Sequence, residues 1–274
     1  MPDSLAERLQ SGVSWRRILS LRCILTVQTR ALREPTTHKR RPGVPLTRFL
    51  LAATAALTAA CVSRHSAPSA TTESPQPTVG CVPAAQRAGA EFGCFVLTHE
   101  PIGQLGPAPV FWYVDRYASR GSAESARRPR STVVEALGGV WRLTIDSAGL
   151  SSLGGERVGR IGPLPVSAHL DYTAQYMEAV FRPGMKTRVH RHPGPEAWYT
   201  VSGETCLETP NGTMVGRAGG SPVIVPAGPP MELTATGMET RRALVLILHD
   251  AAQPMTLPAS DWVATGACAR GSAR

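Results

Sequence analysis

The sequence predicts a mainly β fold, a sandwich or barrel of short strands joined by many turns, preceded by a small α+β extension. Three observations carry that expectation. Gly and Pro supply 26 and 24 of the 274 residues while aromatic residues reach only 5%, a composition that favours turns between short strands. From Gly162 onward, short apolar runs alternate with turn signals at regular spacing. Within that region, residues 184–203 (GMKTRVHRHPGPEAWYTVSG) read as a hairpin that brings His190, His192 and Glu196 together around Pro193, Gly194 and Pro195.

The formal net charge of +9 invites a nucleic-acid reading, but its distribution removes it. Residues 1–60 hold 10 Lys/Arg against 3 Asp/Glu, which leaves 19 against 17, a net of only +2, for everything after them. The basicity belongs to a leader and not to a binding face, so no nucleic-acid partner is expected. No internal repeat of fixed period is present.

Taken in order, residues 1–60 read as a leader. Residues 1–43 show no clean periodicity and are read as an extended basic n-region or an over-called start. Residues 44–61 (VPLTRFLLAATAALTAAC) follow Arg48 with an apolar run over 49–60, too short for the roughly 20 residues of a membrane span and of the length of a signal-peptide core. Thr58, Ala59, Ala60 and Cys61 resemble the lipobox of bacterial lipoproteins, with Leu57 one place early. That resemblance implies lipidation at Cys61, export to the periplasm or cell envelope, and a membrane anchor; an ordinary secretory signal is the alternative. Residues 61–82, rich in Ser, Thr and Pro, read as a flexible linker. Of the cysteines beyond the leader, Cys81, Cys94, Cys206 and Cys268 permit three pairings, and an exported protein forms disulfides readily.

Residues 83–160 read as a small α+β subdomain or a degenerate repeat, with strands over 92–97, 110–114, 131–136 and 140–145 and a short helix over 119–128. Residues 161–254 read as the barrel. Strands are expected over 172–181, 196–201, 205–209, 223–225, 231–236 and 242–249, with a hairpin turn at Pro210, Asn211 and Gly212. The tail, residues 255–274, is expected to pack Trp262 on the outside.

The chemistry is concentrated in the hairpin. His190 and His192 are two apart, so on an extended strand they share a side. The turn lets the strand starting at Glu196 return beside them, and two imidazoles with a carboxylate suit a divalent first-row metal: iron, manganese, copper, nickel or zinc. The segment resembles the first motif of the cupin superfamily, G-x5-H-x-H-x3-E-x6-G, with Gly184, His190, His192, Glu196 and Gly203 at its fixed positions. Gly220, Pro226 and Gly228 fill the start of the second motif, G-x5-P-x-G-x2-H-x3-N, whose histidine and asparagine positions hold Met231 and Ala235. The resemblance implies a double-stranded β-helix, a jelly-roll barrel, with His190, His192 and Glu196 as metal ligands and, by family analogy, a homodimer. Met231 is a thioether ligand, a packing residue, or the mark of a lost metal. Tyr176 and Glu178, or the alternating Gln175 and Met177, line the interior. Trp198 and Thr200 share the parity of Glu196 and are candidate pocket walls, and His249 closes the last strand as an inward or rim residue. The resulting expectation is an exported metal-binding cupin acting on a small organic molecule, or a non-catalytic module binding a small ligand or metal. Tight turns explain Gly184, Gly203 and Gly228.

Overall fold

A computed structural model describes residues 78–271. The expected leader, the expected lipidation position Cys61 and most of the expected linker lie outside them. β1 (Thr78–Val79) and β2 (Cys81–Pro83) lead into β3 (Gly93–Gly103), β4 (Val110–Tyr117), α1 (Arg120–Ser125), β5 (Ser131–Ala136), β6 (Gly139–Ser147) and β7 (Glu156–Ile161). Then follow β8 (Tyr172–Phe181), β9 (Lys186–Thr187), β10 (His190–Arg191), β11 (Glu196–Ser202), β12 (Glu204–Thr209) and β13 (Gly212–Arg217). The chain closes with β14 (Val223–Val225), β15 (Glu232–Thr236), β16 (Arg241–Asp250), β17 (Leu257–Pro258) and α2 (Ala267–Gly271).

The fold is mainly β, as the composition predicts, but the strands do not close into a hydrogen-bonded ring. Among the described residues they form a six-stranded sheet (β14-β11-β16-β8-β3-β2), a five-stranded sheet (β1-β9-β15-β12-β13), a four-stranded sheet (β5-β6-β4-β7) and the pair β10-β17. The six-stranded sheet is the middle of three layers. One face packs Met177, Phe181, Val245 and Ile247 on Leu207 and Leu233 of the five-stranded sheet. The other packs Ala174, Tyr176, Leu244 and Leu246 on Trp112, Leu143 and Ile145 of the four-stranded sheet. A strand buried on both faces needs apolar residues at every position, which is why β16 reads ALVLIL without alternation.

Residues 83–160 divide between layers. β3 runs antiparallel to β8 from Gly93 opposite Val180 to Gly103 opposite Tyr172, so it belongs to the central sheet, while β4 to β7 and α1 form the outer one. Ser119 caps α1 by accepting from the Ser122 backbone N–H at 3.2 Å. The helix stops at Ser125, short of the expected residue 128; Pro129 disfavours helical conformation at Arg128, so the helix could not have kept its expected end. β12 and β13 join through Thr209 paired with Gly212, the two-residue hairpin expected at Pro210 and Asn211.

The cysteines pair as Cys81–Cys94 and Cys206–Cys268. The second bridge fastens the tail, which is not a mere outer wrapping. β17 pairs antiparallel with β10, His190 opposite Pro258 and Arg191 opposite Leu257, while Trp262 is only half-buried.

Candidate metal centre

The hairpin builds its site from backbone geometry. Gly194 lies against the end of β16; a Cβ there would sit 2.0 Å from the Leu248 carbonyl oxygen, so only glycine lets the turn approach this closely. The turn leads into Glu196, the first residue of β11, where it is paired with Val225 on one side and Ile247 on the other. His190 is held by a two-way backbone bridge: its N–H donates to the Met231 carbonyl at 3.1 Å and its carbonyl accepts from the Met231 N–H at 2.8 Å. Gly184, Gly203 and Gly228 all adopt positive φ, as the turns require.

The structure brings His190, His192 and Glu196 together, with one candidate ligand atom from each, all within 4.8 Å of one another. The two imidazoles meet edge to face at 4.8 Å between centroids. His190 Nδ1 lies 2.7 Å from the Arg188 carbonyl and His192 Nδ1 lies 2.7 Å from the Met255 carbonyl. A carbonyl only accepts, so both rings carry a proton on Nδ1, and in the neutral form each presents the Nε2 lone pair. Trp198 Nε1 donates to Glu196 Oε1 at 2.6 Å, fixing the carboxylate and leaving Oε2 free. His192 Nε2 and Glu196 Oε2 are buried, 3.5 Å apart, and without a hydrogen-bond partner. Buried polar atoms are rarely left unsatisfied, and outer hydrogen bonds that orient the ligands are the usual accompaniment of a metal site.

The electrostatics follow from burial and from the carboxylate. Burial, with His192 alongside, lowers the His190 pKa and favours the neutral ring. Burial acts the same way on His192, but the Glu196 carboxylate beside it outweighs that effect and the pKa rises. Burial opposes ionisation of Glu196, yet the histidines and the Trp198 N–H hold its pKa below the ordinary value.

The three residues line one end of a cavity of about 490 Å³ between the central and five-stranded sheets. Met231, almost fully buried, lines the same cavity and faces His190 across an isolated antiparallel bridge. Its sequence position, where the second motif would carry histidine, is therefore a position on the site wall.

The other expected pocket residues are placed differently. Tyr176 and Glu178 face the opposite side of β8: Tyr176 packs near Trp112 under the four-stranded sheet, and Glu178 accepts from the Leu137 N–H at 2.9 Å and pairs with Arg87. Of the alternate pair, Met177 lines the cavity, together with Ala179 and Phe181 of the same parity, while Gln175 does not. A β-strand's two-residue period separates the two sets but does not say which is inside when both faces are buried. Trp198 serves the site through its N–H and forms part of the core. Thr200, two residues further along β11, borders a separate cleft with Tyr199 and Ser221. His249 has the inward parity of Ile247 but lies beyond the cavity, with Nδ1 on the Asp250 carbonyl at 2.9 Å.

Two contributors escape the sequence reading. The tail supplies the Met255 carbonyl that orients His192, for which no local signal exists. Arg241, at the start of β16, lines the cavity and is only 1% exposed. Its inward parity with Val245 and Ile247 is the pattern that reveals it.

No protein-family model matches the chain, and comparison with curated proteins finds no match. Solved structures are similar over about a third of it. A protein from Thermus thermophilus is 23% identical, covering 28% of this chain and 72% of its own, with a TM-score of 0.25. A cupin-like protein from Thermotoga maritima is 18% identical, covering 36% and 72%, with a TM-score of 0.30. A cupin domain from Bordetella pertussis is 21% identical, covering 32% and 88%, with a TM-score of 0.24.

Proposed function

We propose that this protein binds one divalent first-row metal ion through His190 Nε2, His192 Nε2 and Glu196 Oε2, and that a small organic molecule enters the cavity beside it. One observation carries the reading: two buried ligand-type atoms, His192 Nε2 and Glu196 Oε2, face each other at 3.5 Å with no hydrogen bond, while the opposite atom of each side chain is bonded. A set of two histidines and one carboxylate leaves coordination positions open for a ligand. A bound ion there supplies Lewis acidity or a site for oxygen chemistry. The chain's own part is to aim both Nε2 atoms at the site through the Arg188 and Met255 carbonyls and to hold the carboxylate through Trp198. Met231 adds a soft thioether at the wall, which favours copper among the candidate metals.

Elemental analysis of the purified wild type, His190→Ala and Glu196→Ala tests the reading. One equivalent of metal is expected in the wild type and a small fraction of that in either variant. A wild type that takes up no iron, manganese, copper, nickel or zinc on reconstitution overturns it.

A second reading, a non-catalytic binding module, draws on the thioether at Met231 in place of the motif's histidine. Oxygen uptake by the metal-loaded protein on phenolic or thiol substrates separates the two. Export fits both readings, supported by the leader over residues 44–61 and by the disulfides Cys81–Cys94 and Cys206–Cys268. Mapping the N-terminus of membrane-extracted protein tests the lipid anchor at Cys61; an intact Met1 sinks it.

A further inference from the structure

Among the described residues two arginines are fully buried, and they are treated differently. Arg142 is anchored: it donates to Asp115 at 2.7 Å, to the Ser152 carbonyl at 3.0 Å and to the Ala126 carbonyl. Arg241 is equally buried, yet its Nε and Nη2 have no hydrogen-bond partner and no carboxylate pairs with it among the described residues. Its guanidinium lies 5.5 Å from the centroids of both Phe181 and Trp198. Ring faces attract a cation but accept none of its N–H bonds in the way an oxyanion does. The charge of Glu196 acts on this cation without a hydrogen bond, and a buried guanidinium with unmet N–H donors is unfavourable for the fold, so an oxyanion ligand would satisfy donors that the chain leaves open.

The surroundings say what that is. Arg241 shares the cavity with the candidate metal centre, and Trp198 stands between them, its indole N–H on Glu196 and its ring beside the guanidinium. Among the described residues Glu196 is the only acid on the cavity wall, whereas Arg188 lines its mouth. Once Glu196 is committed to a metal, the remaining charge in the cavity is positive. Burial lowers the Arg241 pKa to about 10, against which the Glu196 charge pulls upward, so the group stays cationic at neutral pH. Most of the remaining wall, including Met177, Phe181, Val245 and Ile247, is apolar, with Thr187 and Thr256 as its neutral polar residues. A single guanidinium fork matches one carboxylate, and the apolar wall matches a hydrocarbon body.

We infer that the cavity takes a small organic carboxylate, with its anionic end on the guanidinium of Arg241 and its apolar body extending toward His190, His192 and Glu196. The metal reading underlies only the far end of this arrangement; the recognition by Arg241 stands on the unpaired guanidinium.

Benzoate and its neutral isostere benzamide are the probes, titrated calorimetrically into the full chain with and without one equivalent of zinc. Wild type, Arg241→Met and Arg241→Lys are compared, and zinc stoichiometry and thermal midpoint are recorded on the same samples. Benzoate is expected to bind the wild type at least tenfold more tightly than benzamide and at least tenfold more tightly than it binds Arg241→Met, with Arg241→Lys recovering part of the loss. Arg241→Met is expected to melt no lower than the wild type, since it replaces an unpaired buried charge by an apolar chain of similar length. Equal affinity of the wild type for benzoate and benzamide, or equal benzoate affinity in Arg241→Met, overturns the inference even if zinc binds stoichiometrically. Arg241-dependent benzoate binding in a protein that takes up no zinc leaves the inference standing and removes the metal reading alone.

Discussion

A single indole shows how much of this site is carried by groups that are not themselves ligands. Trp198 Nε1 holds Glu196 Oε1 at 2.6 Å, so the carboxylate's rotamer is set by a residue that reads as plain core. Oriented outer partners of this kind typically carry 10- to 100-fold of metal affinity. Trp198→Phe is therefore expected to weaken zinc binding about 10- to 100-fold in a competition titration with a chromophoric chelator, with the far-ultraviolet dichroism unchanged; equal affinity removes the positioning role. The buried ion network of the outer sheet is structural by the same standard. Asp115 is bonded to Arg142 at 2.7 Å and to Arg157 at 2.5 Å. Asp115→Ala strands the Arg142 charge and is expected to cost about 3–5 kcal/mol in urea unfolding, without altering zinc affinity.

At the scale of elements, strand existence was legible wherever one pattern had one cause. β5, β8 and β14 lie where their composition places them, and the hairpin at residues 209–212 follows from its turn residues. Facing was not legible on β8 and β16, because alternation carries information only when one face meets water, and here both faces meet protein. The sequence therefore offers Tyr176 and Glu178, or Gln175 and Met177, for the pocket, and only the three-dimensional packing selects Met177. His190, His192 and Glu196 were legible because their spacing alone fixes their convergence, whereas Arg241 and the Met255 carbonyl reach the site through pairing over long sequence separation. The tail illustrates the point and carries its own pH dependence. Glu208 of β12 accepts from the Ala267 N–H at 2.9 Å and from the Thr265 N–H. Burial opposes its ionisation, but these bonds dominate and its pKa is lowered from 4.5. A lowered folded pKa means the contribution is complete above about pH 4.5 and is lost as pH falls through the folded value. Hydrogen-exchange protection of residues 257–271 is expected to fall on that acid limb in the wild type. In Glu208→Gln it is expected to be already reduced at pH 7, by the roughly 1.5–3 kcal/mol of bonds to a charged group, and to change little with acid. Equal protection at pH 7 in the two proteins contradicts this role.

For the whole molecule, the candidate ligands come from parts that the sheets themselves do not join. Glu196 sits in the central sheet, while His190 is held by Met231 and by the tail strand β17. An ion bound by both cross-links the central layer to the tail and to the approach of the five-stranded sheet, contacts that exist only in the folded chain. Binding to the folded state alone stabilises by about 2.7 kcal/mol when free ligand is 100-fold above Kd. A domain of 150–250 residues gains roughly 2–4 °C per kcal/mol, so the metal-free protein is expected to melt about 5–11 °C higher when supplied with such an excess of a metal it binds. His190→Ala removes the tail-side ligand and Glu196→Ala the sheet-side ligand, so either variant is expected to lose most of that increment. Differential scanning calorimetry at matched metal activity makes the comparison. If the increment persists undiminished in both variants, the metal is stabilising the fold from another place, and the cross-link between the layers is not its role.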